Sequence, residues 1–364
     1  MKKYFRLFVT LFASIAFVCC TPDGWNDNWG DDWGDEWGDT PDNPDKPDQP
    51  DPDEPDNPDN PDNPDNPDNP DKPDVPDPVD PDPSNKAAYT WYELPSIQDE
   101  DGNRINDNDN SLYYAYHICP SLPKGANGRP LRNYTVCYSA EHHCPVWVAA
   151  PRHNCYSVKN CNRTDAYKQD PDIPGNIQYY SKSTGGGCNK GHMLGSAERL
   201  CDRGTNEQVF YYTNIAPQLS SGFNTGGGGW NTLEDWVDGK VCADTLYEVV
   251  GCYFDRFTDG YGHTVAPKTI EFGSRSDVQF PTMFYYVLLR TKSGNTKKAL
   301  KDCSANELMC AAFVRAHTNS LKGQKVTRTE MMSVADLEKI TGFNYFPNVP
   351  NAPKSTFSAS DWGL

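Results

Sequence analysis

The chain has 364 residues and a formal net charge of −18. The charge is uneven: residues 1–86 contain 23 of the 51 acidic side chains and 6 of the 33 basic ones, which leaves 28 acids and 27 bases for residues 87–364. The acidity therefore belongs to the first 86 residues, and it excludes no class of ligand, polyanions included, for the near-neutral remainder. About 278 residues suffice for one large domain with a hydrophobic core.

The first 20 residues have the pattern of an export signal. Three basic side chains precede an apolar run over 7–18, which is too short to span a bilayer as a mature helix. A cysteine directly after such a run is typical of a bacterial lipoprotein, in which the signal is cut and Cys20 is acylated. The pattern predicts a lipoprotein signal peptide over 1–20 and a lipid-anchored protein at the cell surface or in the periplasm. An ordinary secretory signal is the alternative.

The cysteine content also indicates export. The chain has 13 cysteines, 11 of them after residue 86, which is natural in an oxidising compartment and unusual in the cytosol. An odd number leaves one thiol over, and the sequence does not determine the pairing. Three pairs are close enough in sequence to bond: Cys137 with Cys144, Cys155 with Cys161, and Cys303 with Cys310.

Residues 21–86 have the composition of a disordered acidic tether. Tryptophan recurs every fourth residue from Trp25 to Trp37 among Asp, Asn and Gly, and residues 41–83 repeat Pro-Asp-Asn. Proline blocks regular hydrogen bonding and the aspartates repel one another, so this segment is expected to be extended and polyproline-like. A membrane-proximal anchor or export signal is the alternative for the tryptophans. Calcium binding by the repeats is disfavoured, because proline at every third position precludes a compact loop.

Residues 87–364 are predicted to form an α+β domain with a central antiparallel sheet and disulfides. Aromatic and β-branched runs predict strands at Val146–Ala150, Tyr247–Phe254, Thr282–Arg290 and Ala311–Ala316. Capping patterns predict helix starts at Ser304–Glu307 and Ser333–Asp336, the second with a stop at Gly342. An apolar stripe predicts a further helix before Gly239, formed by Trp230, Leu233 and Val237.

One histidine has surroundings suited to chemistry. His192 follows a glycine-rich segment that starts at Gly185, and Lys190 and His192 alternate across a glycine as neighbours on an extended segment would. Residues 182–203 form a locally basic strip suited to phosphate, with Lys182, Lys190, Arg199 and Arg203. A Gly-His pair is weak evidence when it stands alone.

The next segment supplies the rest of a pattern. It runs Thr213-Asn-Ile-Ala-Pro-Gln218, then Gly222-Phe-Asn224, then Trp230-Asn-Thr-Leu-Glu234. Together with Lys190-Gly-His192, this order resembles the DNA/RNA non-specific endonuclease family, a branch of the ββα-metal (His-Me finger) nucleases. The resemblance extends in order over nearly all of residues 90–347: Asn133-Tyr-Thr135 and Pro145-Val-Trp-Val-Ala149 resemble the family's early strands, and the segment ending at Phe343 resembles its closing part.

The resemblance implies a ββα-metal core and a metal-dependent endonuclease acting on DNA and RNA. His192 would be the general base that takes a proton from the attacking water, since a neutral imidazole accepts protons near pH 7. Asn224 would be the direct protein ligand of Mg²⁺ (or Mn²⁺), a cation that prefers oxygen and keeps most of its waters. Glu234 would hold one of those waters, and Asn214 would support the site by hydrogen bonding.

Several positions depart from the family pattern. Asn189 stands where the motif has Asp, and Lys190 stands where it has Arg, so the charge remains without the bidentate fork. Arg152 lies one place late for the arginine that would clamp the transition state. The stretch from Asn224 to Glu234 is about two residues longer through Gly226–Gly229. Two rival functions remain: a surface lipoprotein that binds nucleic acid without cutting it, and a structural or adhesive surface protein.

Overall fold

The computed structural model describes residues 91–96, 112–122, 131–180, 184–224 and 226–364. The predicted signal peptide (1–20), the tether (21–86) and the lipid anchor at Cys20 lie outside these residues. Within them, no helix combines the length and apolar character that crossing a membrane requires.

The described residues form a seven-stranded sheet, in which every neighbouring pair of strands is antiparallel. The predicted α+β class with a central antiparallel sheet is confirmed. The four predicted strands all form, each within two to three residues of the expected bounds. In spatial order the strands are β1 (Leu112–Ile118), β2 (Arg132–Ser139), β3 (Cys144–Arg152), β6 (Leu246–Tyr253), β11 (Met283–Thr291), β12 (Leu308–Ala316) and β13 (Met331–Met332).

The middle strands are almost wholly buried, which explains their continuous apolar runs. Both faces of β11 and β12 are covered, so residues on alternate sides are equally hydrophobic. Close packing also explains why residue 251 is a glycine: a Cβ at Gly251 on β6 would overlap the ring of Tyr285 on β11. Tight packing at the centre of the sheet makes the sheet a rigid support for the other elements of the domain.

Four α-helices accompany the sheet in the described part of the chain. Ser333 caps the last of them by accepting from the backbone N–H of Asp336, and Gly342 ends it at φ 77°, as predicted. The helix that begins at Gly229 buries the predicted stripe, including Trp230 and Leu233. The helices are α1 (Asn154–Ser157), α2 (Arg203–Gln208), α3 (Gly229–Asp238) and α4 (Val334–Thr341).

The prediction of a helix that starts at Ser304 is wrong. The backbone N–H and hydroxyl of Ser304 both donate to the Glu307 carboxylate at 2.9 Å, as in a capping arrangement. The chain makes only a turn there and enters β12 at Leu308. Leu308 pairs with Thr291 on β11, so the backbone here has hydrogen-bond partners in the sheet that it would lose in a helix.

The described residues also form three two-stranded hairpins: β4 (Cys188–His192) with β5 (Ile215–Leu219), β7 (Phe257–Thr258) with β8 (Thr264–Val265), and β9 (Thr269–Phe272) with β10 (Arg275–Gln279). Apolar side chains from β4, β5, β9 and β10 share one buried cluster. The β4–β5 hairpin is followed directly by α3, so these elements give the ββα order that the resemblance implies.

The predicted disulfide pairs are not bonded in the structure. Free thiols occur at Cys137, Cys144, Cys161, Cys303 and Cys310, which rules out all three pairs in this state. Burial raises the pKa of the Cys310 thiol to about 12. Formation of disulfides therefore stays a prediction for this chain.

Candidate active site

The β4–β5 hairpin carries the predicted base. Its antiparallel register places His192 opposite Ile215, Lys190 opposite Pro217 and Asn189 opposite Gln218. Successive side chains of a strand point to opposite faces, so Lys190 and His192 lie on the same face. The predicted extended geometry around Gly191 is confirmed.

Gly191 is required by its neighbour across the hairpin. The side chain of Gln218 lies over the Cα of Gly191, and a Cβ at that position would overlap the Gln218 amide. The glycine before the base and the glutamine after Pro217 are therefore one packed pair. Gln218 is fully buried as a result.

His192 has an aromatic and cationic environment. Its ring lies 4.9 Å from the ring of Phe210 in an edge-on contact and 5.9 Å from that of Tyr167. Burial, assisted by the positive charges of Arg163 and Lys190, lowers the pKa of His192 to about 3. Among the described residues, no hydrogen-bond partner meets its buried Nε2. The imidazole is therefore neutral at physiological pH and able to accept a proton.

Asn214 fixes the chain as it leaves the base. Its Nδ2 donates to the carbonyls of Leu194 and Val209 at 2.9 and 2.7 Å, and its Oδ1 accepts from the Leu194 N–H at 3.0 Å. The backbone N–H of Met193 donates to its carbonyl at 2.8 Å. Asn214 is fully buried, so it is placed to fix the backbone after His192 and not to contact a substrate.

Asn224 returns to the same hairpin. Its backbone N–H donates to the Leu219 carbonyl at 3.0 Å, which folds the loop back over the strands. Its Oδ1 accepts a hydrogen bond of 3.1 Å from Asn189, and its Nδ2 donates to Oε1 of Gln218. The structure thus brings the predicted metal ligand against the strand that carries His192 and Lys190.

Glu234 is half-buried on α3. Burial, and after it the nearby charge of Asp238, raises the pKa of the Glu234 carboxyl to about 8. A group with this pKa releases its proton readily once a cation approaches. The glycines of the insertion shape the approach to this helix, because Gly228 is its N-cap.

Arg152 is held in a network of ion pairs. Its side chain is only 6% exposed and forms ion pairs with three carboxylates, those of Asp238, Glu248 and Glu198, at 2.6, 3.0 and 3.2 Å. A guanidinium so engaged cannot also reach a phosphate. The geometry therefore does not support Arg152 as a transition-state clamp. It gives that residue a structural place beside α3.

The predicted basic strip is wrong in part. Arg199 is fully buried and donates to Oδ1 of Asn133 at 2.8 Å and to the Pro151 carbonyl at 2.8 Å. Arg203 is exposed and paired with Glu207. Lys182 lies outside the described residues. These basic residues are close in sequence, which suggested one charged surface. Sequence proximity does not show which of the side chains turn inward.

Sequence reasoning missed Arg163. Its guanidinium carbon lies 4.7 Å from the centroid of Phe210, the same ring that touches His192, and its side chain is 49% exposed. Asp165 and the hydroxyl of Tyr167 accept from it at 2.7 and 3.1 Å. Lys190 lies on the other side of this group, with Nζ 4.1 Å from the Tyr167 ring centroid. No spacing signal links residue 163 to the histidine motif.

A second polar cluster lies beside the site. The ligand atoms of His117, Asp170 and Asp172 lie within 4.8 Å of one another, as a metal site would require. Asp170, however, already accepts from His117 at 3.0 Å, from Thr213 at 2.6 Å and from the Asp172 N–H at 3.0 Å. These bonds satisfy the carboxylate and hold Thr213, the residue before Asn214.

Comparison with known proteins identifies the family. The family model of the DNA/RNA non-specific endonucleases matches residues 117–352. The chain belongs to this family, and the resemblance drawn from its motifs is confirmed. The match begins at the end of β1 and ends beyond α4, so it takes in the other strands of the sheet and the ββα unit.

Three curated relatives carry nuclease names. Human "Nuclease EXOG, mitochondrial" is 25% identical over 240 residues, which cover 62% of this chain and 58% of the relative. "Nuclease C1" of Cunninghamella echinulata is 27% identical, with 59% and 80% covered. A "Nuclease" of Nostoc sp. is 26% identical, with 67% and 86% covered. The chain thus spans less than two thirds of the length of the human relative.

A solved structure entitled "Crystal structure of the EndoG/EndoGI complex: Mechanism of EndoG inhibition" also matches. Its TM-score is 0.49 at 22% identity, and the match covers 62% of this chain and 86% of that chain.

The site offers ligands that fit a divalent cation of the family's kind. Asn224 presents a neutral amide oxygen on a half-buried loop. Glu234 is a carboxyl that keeps its proton only because burial and a neighbouring charge raise its pKa. Oxygen donors of this type suit Mg²⁺ or Mn²⁺, which retain several waters. The three features that the chemistry needs, a neutral base, an oxygen ligand and cations, therefore meet around one hairpin.

Proposed function

We propose that this protein is an endonuclease that hydrolyses phosphodiester bonds of DNA and RNA, assisted by Mg²⁺ or Mn²⁺. One observation carries the proposal. A neutral His192, buttressed by aromatic rings, lies on the strand that also contacts the amide of Asn224, and Lys190 and Arg163 flank it. This combination suits attack by water on a phosphodiester.

His192 acts as the general base. Burial leaves the imidazole unprotonated in the free protein, and this neutral form is the one in which a ring nitrogen takes the proton from the attacking water. The rings of Phe210 and Tyr167 hold it in place, and Asn214 fixes the backbone that follows it. Rigid support of this kind keeps the base aligned with its water.

Asn224 would hold the cation through Oδ1, and Glu234 would hold one of its waters. When bound, a divalent cation stabilises negative charge on the phosphate and the leaving oxygen. Lys190 and Arg163 supply fixed positive charge around the scissile phosphate. Arg152 helps to position Glu234, because it pairs with Asp238, which lies one helical turn after Glu234 on α3.

A nicking assay tests the proposal. Supercoiled plasmid and a structured RNA are incubated with the protein in Mg²⁺, in Mn²⁺ and in EDTA. We expect both substrates to be cut, EDTA to stop the reaction, and His192→Ala to lower the rate by about 10²-fold or more. His263→Ala is the matched control, since that half-buried histidine pairs with Asp259 outside the ββα unit. A His192→Ala protein that cuts at the wild-type rate would overturn the mechanism.

A second candidate is a surface lipoprotein that binds nucleic acid without cleaving it. The observation that favours it is Lys190, whose ammonium lies over the Tyr167 ring where a guanidinium would offer a bidentate fork. Retention of labelled DNA on a filter without any metal-dependent nicking would support this function over the first.

We also propose that the protein is exported and anchored through Cys20. The basic residues, the short apolar run and the cysteine that follows support this. Bacteria that express the chain and are fed labelled palmitate should incorporate label into the wild-type protein and none into Cys20→Ser. Equal labelling of both would contradict the anchor.

A further inference from the structure

The amide of Asn224 is held from two sides. Asn189 lies opposite Gln218 in the β4–β5 register, and the Asn224 side chain contacts both. Gln218 is fully buried beneath Gly191, so it cannot move aside without disturbing the hairpin. By accepting from Nδ2 of Asn224, Gln218 turns Oδ1 of Asn224 toward Asn189.

That oxygen is the proposed metal ligand, and it is already engaged. Nδ2 of Asn189 donates to it at 3.1 Å. An amide oxygen has two lone pairs, so this bond leaves one for a cation. The donor also places the positive end of an N–H dipole beside the position a cation would take. A metal ion therefore competes with Asn189 for Asn224 or binds against its dipole.

We infer that Asn189 sets a low affinity for the divalent cation by occupying and polarising the ligand oxygen of Asn224. The inference rests on the proposed function, in which Asn224 is the ligand. A carboxylate at position 189 would be isosteric and unable to donate. It would replace a repulsive dipole with a negative charge a few ångströms from the cation. The residue thus determines how much metal the site needs.

Metal binding tests this without relying on activity. Free Mn²⁺ is measured by electron paramagnetic resonance during titration of the full chain. Asn224→Ala defines the site, because any binding elsewhere on the chain is common to both proteins. We expect Asn189→Asp to lower the Kd of the Asn224-dependent site by about tenfold, the effect of one unit charge at partly screened close range. Asn295→Asp, an exposed change in a loop after β11, should leave the Kd unchanged.

A second variant separates competition from support. Asn189→Ser removes the amide donor and adds no charge, so it should lower the Kd by about two- to threefold, equivalent to a weak hydrogen bond. Thermal unfolding followed by circular dichroism confirms that each variant is folded. An unchanged Kd in Asn189→Asp, or a raised Kd in Asn189→Ser, would overturn the inference and leave the metal ligand intact. Wild-type binding by Asn224→Ala would overturn the ligand assignment itself, and the inference with it.

Discussion

Individual side chains in this protein take their chemistry from burial and from the charges that face them. His192 is neutral because burial and two cations lower its pKa to about 3. Glu234 has the opposite shift, to about 8, because burial and Asp238 both disfavour its charge. A base that stays unprotonated and a carboxyl that yields its proton to a cation lie on adjacent parts of one ββα unit.

The two arginines near the site should respond differently to removal. We expect Arg163→Ala to reduce kcat/KM for plasmid by about 10- to 100-fold with unchanged stability, because its side chain is half exposed beside the base. Arg152→Ala should reduce the free energy of unfolding by about 3–5 kcal/mol, because it leaves buried carboxylates unpaired. Urea unfolding and steady-state kinetics on both variants check this. If Arg152→Ala lowered kcat/KM at unchanged stability and Arg163→Ala lowered only stability, Arg152 would again be the candidate for the transition-state clamp.

His317 makes stability depend on pH. Its ring accepts from the Leu219 N–H at 2.9 Å and contacts the Pro281 carbonyl at 2.8 Å, so it fixes the end of β5 before Asn224. Burial lowers the pKa of His317 to about 3. Between that value and about 6.5 the unfolded chain binds a proton that the folded chain does not, so folding stability rises with pH there.

The pH dependence can be isolated with one variant. As pH falls from 6.5 to 4.5, the wild-type protein should lose about 1.4 kcal/mol per pH unit more than His317→Gln. Urea unfolding at several pH values measures the difference. Parallel curves for the two proteins would show that His317 is not neutral in the folded state.

At the scale of elements, the glycine insertion between β5 and α3 has two parts. Gly226 and Gly227 have φ of 65° and 75°, and no atom of the described residues lies within 4 Å of the place a Cβ would take, so they serve conformation alone. Gly228 and Gly229 are closely packed: a Cβ would overlap Phe223 at the first and Leu321 at the second. The insertion is therefore a turn followed by a tight contact that seats the start of α3.

Substitutions should separate these parts. Gly229→Ala should cost about 1–3 kcal/mol of stability through overpacking, and it should lower nuclease activity by displacing Glu234. Gly227→Asn should cost less than about 1 kcal/mol, since asparagine tolerates positive φ. Thermal unfolding of both variants, with a nicking assay, distinguishes them. Equal losses would mean that the loop conformation, and not the contact with Leu321, decides the position of α3.

For the whole molecule, the charge and the catalytic site lie in different segments. Residues 1–86 hold 23 acidic and 6 basic side chains, a net charge of −17 out of −18, and all predicted site residues lie beyond them. A negatively charged tail repels nucleic acid.

A chain that begins at Ala87 should therefore keep its activity. We expect its nicking rate at 0.1 M salt to equal or exceed that of the full chain, with the same sensitivity to EDTA. Both proteins are compared in one plasmid assay at several salt concentrations. A catalytically silent truncated chain would instead favour a structural or adhesive role that depends on the tail.

The sequence by itself determined the family, the ordered motifs and the long strands. These signals are local: Lys190-Gly191-His192 lies within one strand, and the apolar run of β11 has the same meaning wherever the strand is placed. The capping pattern at Ser304 misled because the same contacts close a turn as readily as they start a helix. The short strands β9 and β10 were not predicted, since strands of four or five residues give little periodicity.

Only the tertiary structure decided which charges face the base. Arg152, Arg163 and Arg199 look alike in the sequence. Two of them end in buried networks, and one ends over the aromatic ring that supports His192. The contact of Asn189 with Asn224 likewise joins residues 35 positions apart. Side-chain direction and long-range pairing follow from packing of the whole domain, and no local pattern encodes them.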